Sequence, residues 1–420
     1  MSVARHPLFY RDYRFYLTAR LATTIAQTSM VIVIGWQVYD IARRTMDTRA
    51  AALQLGYVGL FQFVPLLALT LVVGWTADRV DRRWVARASV LLEALCAASL
   101  GWLAWAGTTT LTDLFFIAAL LGVARAFAGP AMQGIAPNVV PRASLPTAIA
   151  LGSVAWQGGA VLGPAMGGFL YAYGHFLPYA VSGTLFTLAF LALMLVRPIA
   201  RSPIPGGGNP WSQMIDGIRY VRHNRLVLGA ISLDLFAVLL GGATAMLPIY
   251  ARDVLHVGAA GLGQLRAAPA LGAAAVALIF AFRPLKREVG LKMLVAVVVF
   301  GVATIVFGVS RDMTLSLACL AILGAADMLS VYVRSSLIQL YTPDAMRGRV
   351  GAVSTLFVSA SNELGEVESG LLAAAIGPVA AVVGGGIGAI LVTILWSKVF
   401  PELIRARTFE PPKQLEGGPI

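Results

Sequence analysis

The sequence predicts an all-α polytopic membrane protein, with twelve transmembrane helices in two pseudo-symmetric six-helix bundles. The first observation is composition: 58% of the 420 residues are hydrophobic and 12% are charged, whereas soluble domains carry about 25% charged residues. The second is that twelve apolar stretches each approach the roughly 20 residues that span a bilayer as a helix. The third is a basic linker, rich in Pro and Gly, between the sixth and seventh stretches.

The twelve stretches are apolar all round. A soluble helical protein would instead need a polar face at helical spacing, and segments such as LALTLVVGW and LFTLAFLALMLV have none. We therefore predict spans at 17–41, 51–75, 84–107, 112–136, 146–172, 177–196, 226–250, 257–281, 291–309, 313–340, 350–375 and 378–399.

The distribution of Lys and Arg predicts the topology. With the N-terminus in the cytoplasm, 23 of the 32 Lys and Arg fall in cytoplasmic segments or at the adjoining span ends (Arg87, Lys292 and Lys398), five fall in outer loops and the other four in spans. This asymmetry follows the positive-inside rule. We expect both termini in the cytoplasm and the protein in a bacterial-type plasma (inner) membrane. The net charge of +12 comes without an RNA-type motif or a groove-reading helix, so we expect no nucleic-acid partner.

The chain divides into four predicted parts: a first bundle at 1–196, a cytoplasmic linker at 197–224, a second bundle at 225–400 and a cytoplasmic tail at 401–420. Within the linker, Trp211 to His223 has the composition of an amphipathic helix on the inner membrane surface. When residue i is set against residue i+202, Gly122 meets Gly324 and Pro141 meets Pro343. Internal repeats of this kind are typical of secondary transporters.

Catalytic and metal-binding patterns are missing from the sequence. Cys96 and Cys319 fall inside predicted spans, and the four histidines fall in loops or at span ends. No zinc-binding pair, Ser-His-Asp set or phosphate-binding glycine loop occurs. We expect neither an enzyme, nor a metal, nor another cofactor, and a channel is a weaker alternative than a transporter.

The stretch GWTADRVDRR lies in the cytoplasmic turn between spans two and three. The positive-inside rule accounts for its arginines but not for Gly74 and Asp78 at a four-residue spacing. We predict a gating loop in which Asp78 approaches the start of span eleven, at 345–349, when the cytoplasmic side is closed. The residues assigned to this loop are Gly74, Asp78, Arg79, Arg82 and Arg83.

Span five contains GAVLGPAMGG. Gly159, Gly163 and Gly167 recur every four residues and share one helix face, which predicts close packing against another helix. Pro164 interrupts the backbone hydrogen-bond ladder, and Gly168 completes the motif.

Three motifs together resemble the major facilitator superfamily. GxxxDRxxRR resembles its signature loop, Leu121, Arg125 and Gly129 in LGVARAFAG resemble its span-four motif, and GAVLGPAMGG resembles a motif associated with antiporters. VYDIA and TPDAMRGRVGAV are similar to the exporter branch that includes siderophore (enterobactin-type) and macrolide efflux proteins. The resemblance implies the fold, and leaves the span-five motif as either ordinary helix packing or a barrier to proton leakage.

Ionisable residues inside spans are functional candidates, because a charge at bilayer depth costs about 2.5 to 3.5 kcal/mol on insertion. The resemblance implies that spans one, four, seven and ten line a central cavity, with Arg125 and Asp327 on opposite walls. The alternative for Asp327 is a static ion pair with Arg334, two turns further along the helix. The candidates for proton coupling are Arg125, Asp234, Asp327, Glu363 and Glu366; those for the substrate cavity are Gln27, Arg125, Asp234, Asp327 and Arg334.

The functional hypothesis is a secondary transporter that works by alternating access, a proton-coupled exporter (antiporter) of small amphipathic molecules. A lipid or lysolipid flippase and a proton-coupled uptake symporter remain alternatives, because the motifs do not fix cargo or direction. The expected partners are a small-molecule substrate, protons and membrane lipid, and we expect a monomer.

Overall fold

The computed structural model describes residues 6–141, 144–197, 210–283, 285 and 287–409. The secondary structure of this part of the chain is helical. The helices are α1 (Arg11–Ala42), α2 (Thr48–Arg79), α3 (Arg82–Ala106), α4 (Leu111–Ile135), α5 (Leu145–Tyr173), α6 (Leu177–Met194), α7 (Pro210–His223), α8 (Arg225–Leu240), α9 (Leu247–Ile249), α10 (Gly258–Phe282), α11 (Val289–Val309), α12 (Met313–Leu340), α13 (Asp344–Ile376), α14 (Pro378–Val399) and α15 (Pro401–Arg405).

The helices coincide with the predicted spans. Nine helices in the described part of the chain are long and apolar enough to cross a membrane. Helices α5 and α13, with 29 and 33 residues, also reach that length. The remaining predicted span, the seventh, corresponds to α8 and α9. The all-α polytopic fold predicted from the sequence is confirmed.

The seventh span is interrupted, whereas its uniform hydropathy predicted one continuous helix at 226–250. Helix α8 ends at Leu240, and a π-helical turn at Tyr250–Val254 follows α9. The break begins at Gly241 and Gly242. A side chain at Gly242 would overlap the hydroxyl of Ser369 in α13. This close approach explains why glycine stands where the helix ends.

Contacts divide the chain into two compact units. The first comprises Met1–Pro205 and Leu247–Ala267, and the second comprises Gly206–Met246 and Ala268–Ile420. The segment 247–267, which the sequence assigned to the second bundle, thus groups with the first unit. The predicted boundaries of the two bundles otherwise stay a prediction.

Ion pairs join the end of α1 to the segment 247–267 within the first unit. Arg252 Nη1 donates to Asp40 Oδ1 at 2.6 Å, and Arg43 Nε donates to Asp253 Oδ2 at 3.1 Å. The four side chains are each about one-quarter exposed. Their mutual neutralisation explains how a short charged segment packs against the end of a membrane span.

The glycine face of α5 packs on α1, as its spacing predicted. Side chains at Gly159 and Gly163 would overlap Thr24 and Thr28, and one at Gly163 would also meet the carbonyl oxygen of Ile25. The Thr28 hydroxyl donates across the interface to the Gly159 carbonyl at 3.0 Å. Backbone polar groups are therefore shared between the helices where the glycines let them approach.

The end of the motif also contacts a second neighbour. A side chain at Gly168 would overlap the backbone of Gly263 at the start of α10, and one at Gly167 would meet Ser29 of α1. Pro164 lies inside α5, and its carbonyl oxygen is among the atoms that a side chain at Gly263 would meet. Within the first unit, α5 therefore packs closely against both α1 and the start of α10.

Candidate functional site

Two buried, oppositely charged side chains meet in the second unit. Asp234 of α8 forms an ion pair with Arg334 of α12, and their side chains are only 8% and 5% exposed. Removing either partner would leave an uncompensated buried charge. The sequence placed both residues in the substrate cavity but did not predict that they contact each other.

Asp327 lies near this pair without joining it. It lines a small cavity together with Asp234 and Ser330, and the remaining walls are apolar residues of α8, α11 and α12. Among the described residues, the Asp327 carboxylate has no hydrogen bond or ion pair. The static Asp327–Arg334 pair, the alternative left open by the sequence, is not formed, because Arg334 pairs with Asp234.

A second polar set lies in the first unit. Glu93 of α3 is 0% exposed, and Gln27 Nε2 of α1 donates to Glu93 Oε1 at 2.6 Å. The other carboxylate oxygen, Oε2, is buried and has no hydrogen-bond partner among the described residues. The sequence predicted Gln27 in the substrate cavity but held Glu93 as a secondary candidate, because a uniformly apolar helix does not show which way one acid faces.

Arg125 is held by a residue that sequence reasoning missed. Its Nη1 donates to Oε1 of Gln62 in α2 at 2.7 Å, and Gln62 is only 4% exposed. Gly122, one turn before Arg125, lies against the Gln62 backbone so closely that any side chain would overlap it. Gly122 therefore lets α4 pack closely against α2. A polar glutamine in the middle of a predicted span was the sequence feature that could have identified Gln62 as the partner of Arg125.

Arg125 lies in the same unit as the Gln27–Glu93 pair. The predicted pairing of Arg125 with Asp327 joins residues of the two separate units and stays a prediction.

The acids of span eleven stay a prediction. Glu363 and Glu366 both lie in α13. The Glu363 side chain is outside the described residues, and Glu366 is half-buried. Two carboxylates one helical turn apart can share a proton if their side chains approach each other.

The gating loop is described only in part. The side chains of Gly74, Asp78 and Arg79 lie outside the described residues, so the approach of Asp78 to span eleven stays a prediction. Arg82 Nη1 donates to the Gly134 carbonyl in the last turn of α4 at 3.3 Å. Arg83 Nη1 donates to the Val196 carbonyl at 3.2 Å, just beyond α6.

These contacts place the loop arginines at the carboxyl ends of helices, where the helix dipole favours positive charge. Arg83 Nη2 also donates to Asp81 Oδ2 at 2.6 Å, and Asp81 caps the N-terminus of α3. The hydrogen bonds from Arg83 hold the pKa of the Asp81 carboxyl below its ordinary value. The sequence analysis assigned the arginines to the gating loop. It did not predict that Asp81 caps α3 or that Arg83 binds Asp81.

The fold and its buried charges define a polytopic membrane transporter, and the comparisons identify its family. The Major Facilitator Superfamily profile matches residues 17–366, so the chain belongs to this superfamily. It is 29% identical over 425 residues to the enterobactin exporter EntS of Citrobacter koseri, covering 99% of this chain and 96% of that protein. The chain is accordingly an integral inner-membrane protein and a transporter.

Solved structures share the fold at low sequence identity. A variant of the peptide transporter POT superimposes with a TM-score of 0.73 at 14% identity, covering 94% of this chain and 95% of that chain. A D-xylose-proton symporter superimposes with a TM-score of 0.69 at 15% identity, covering 94% and 99%. At these identities the likeness concerns the fold alone.

Proposed function

We propose that the chain is a proton-coupled exporter of small amphipathic molecules that works by alternating access. Similarity to the enterobactin exporter of C. koseri along 99% of the chain supports export. The superfamily supports a small-molecule substrate. The charge arrangement in the second unit supports coupling to protons.

One observation carries the proton coupling: two carboxylates, those of Asp234 and Asp327, line the same small cavity, and only Asp234 is paired with a guanidinium, that of Arg334. The Arg334 guanidinium stays charged throughout a transport cycle, and Asp234 neutralises it. Asp327 is the additional acid on the same cavity, without a counter-charge among the described residues. A carboxyl group in this position can gain and release a proton without first breaking an ion pair, so Asp327 is the proton carrier in this proposal.

The polar residues of the first unit are suited to binding the substrate rather than to carrying the proton. Gln27, Gln62 and Arg125 supply hydrogen-bond donors inside an apolar bundle. Such donors fix the orientation of a bound substrate. Alternating access moves the two halves of a transporter against each other, so the distance between Arg125 and Asp327 would change during the cycle and time proton release.

In this proposal, the transported compound and the direction of transport are inferred from the similarity to the enterobactin exporter. Enterobactin is the first compound to assay, because that cargo appears in the relative's name. A flippase would move lipid instead, and an uptake symporter would accumulate the compound in right-side-out vesicles. We further propose a monomer with both termini in the cytoplasm, and the gating loop as a contact that closes the cytoplasmic side.

Transport into inverted membrane vesicles tests the proposal. The vesicle lumen corresponds to the outer side, so a lumen more acidic than the medium should drive accumulation of enterobactin. A protonophore should abolish the accumulation, and vesicles without the protein should show none. Accumulation that ignores the pH gradient, or that occurs only in right-side-out vesicles, would contradict proton-coupled export.

A further inference from the structure

Helix α7 of the second unit has two different faces. On the buried face, Gly217 lies so close to α13 that an added Cβ would stand 2.9 Å from the Arg349 carbonyl oxygen. Arg349 Nη1 contacts Asp216 Oδ2 at 3.2 Å, and the Tyr220 hydroxyl donates to the Tyr341 carbonyl at 3.1 Å. The helix is therefore fixed to α13 and to the C-terminal end of α12.

The opposite face is exposed and combines apolar with basic side chains. Its residues follow the spacing i, i+3, i+4, i+7 and i+8, which places them along one side of a helix. Ile215 and Ile218 are 50% and 38% exposed. One groove is lined by Ile215, Ile218, Arg219, Arg222 and His223.

The positive charge on this face is not neutralised within the described part of the chain. The guanidinium groups of Arg219 and Arg222 form no ion pair there. The only acid on α7, Asp216, is engaged by Arg349. The neighbouring Arg225 is occupied by Glu402 at 2.8 Å. Two arginines are therefore available for an external anion.

The orientation of α7 suits a lipid surface. The segments Met214–His223 and Arg225–Leu240 are bent by 103° relative to each other. Because α8 begins the seventh membrane span, α7 runs nearly perpendicular to that span. A helix along the membrane surface, with apolar and basic residues on one face, meets acyl chains and anionic headgroups together.

We propose that this face of α7 binds an anionic phospholipid of the cytoplasmic leaflet. Arg219 and Arg222 hold the phosphate, for which guanidinium groups are well shaped. Ile215 and Ile218 contact the upper part of the acyl chains. The lipid site is separate from the cavity lined by Asp234 and Asp327. The proposal of a lipid site therefore does not depend on whether transport is coupled to protons.

Native mass spectrometry of the purified full chain tests the site, with phosphatidylglycerol and phosphatidylcholine added at equal concentrations. The native protein is expected to bind phosphatidylglycerol more tightly. The double variant Arg219→Ser/Arg222→Ser is expected to lose roughly tenfold or more of that affinity, since each surface arginine contributes about 1 kcal/mol of attraction to anionic lipid. The control Arg287→Ser/Arg405→Ser removes two other exposed arginines of the same unit and should bind as the native protein does.

Three results would overturn the proposal. Equal binding of the two lipids by the native protein would remove the headgroup preference. Undiminished phosphatidylglycerol binding by the Arg219→Ser/Arg222→Ser variant, with the same elution volume as the native protein in size-exclusion chromatography, would place the lipid elsewhere. Displacement of the lipid by millimolar inorganic phosphate would identify a free-phosphate site instead.

Discussion

The glycine face of α5 offers a prediction with an internal control. Gly163→Ala places a methyl group against the Thr28 hydroxyl and the Ile25 carbonyl oxygen. The Ile25 oxygen belongs to the backbone of α1, so it cannot move away as a flexible side chain would. Gly158→Ala, on the same helix, meets no atom within 4 Å. The two variants make the same chemical change at a closely packed and an open position.

The two variants are expected to have different effects on the free energy of unfolding. Overpacking of a tight interface costs about 1–3 kcal/mol, and alanine returns up to about 1 kcal/mol of helix propensity. Gly163→Ala should therefore lower the free energy of unfolding by roughly 1–2 kcal/mol, whereas Gly158→Ala should leave it unchanged or raise it. A thiol-reactive dye measures the unfolding of the first unit on heating when both variants are made in a Cys319→Ala background, so that only the buried Cys96 can be labelled.

The same pair of variants separates helix packing from the barrier to proton leakage. Equal melting temperatures for Gly163→Ala and Gly158→Ala would refute the packing argument. If Gly163→Ala kept native stability but let protons leak across proteoliposomes without substrate, the span-five motif would act as a barrier rather than as a packing surface.

Three further predictions concern charged residues. Asp234→Asn should destabilise the second unit by about 3–5 kcal/mol, because it leaves Arg334 buried without a counter-charge, and Asp234→Asn/Arg334→Gln should recover much of that loss in thermal unfolding. Arg125→Lys should retain partial coupled transport and Arg125→Gln should lose it, at unchanged protein abundance in membranes. Asp81→Asn should cost up to about 1 kcal/mol at pH 7, because asparagine caps a helix as well as aspartate but loses the ion pair with Arg83; since Arg83 lowers the Asp81 pKa, that stabilisation is present above the ordinary carboxyl pKa, and the difference should vanish as the pH falls through the lowered value.

Hydropathy predicted the helices well because membrane spans are defined by a long-range property, length of apolar sequence, rather than by local detail. The interruption at Gly241 and Gly242 could not be predicted in this way. Its cause is the close approach of Ser369, a residue more than one hundred positions later. Only the packed structure brings the two segments together.

The partners of the buried charges were the least predictable part of the site. Spacing within one helix shows that Asp327 and Arg334 share a face, but seven residues separate them by about 10 Å along the axis. A partner on a neighbouring helix can come closer, and Asp234 of α8 takes that place. Gln62 could not be predicted as the partner of Arg125 for the same reason, because the periodicity of a sequence does not show which helices are neighbours.

Whether Asp327 carries the proton can be tested by comparing two modes of transport in proteoliposomes that contain Asp327→Asn. One mode is accumulation of enterobactin driven by a pH gradient, and the other is exchange of labelled for unlabelled compound without a gradient. We expect Asp327→Asn to lose gradient-driven accumulation and to keep exchange, because an amide binds no proton while the cavity retains its shape. Gradient-driven accumulation at the native rate in Asp327→Asn would show that another acid carries the proton, with Glu93 the next to examine.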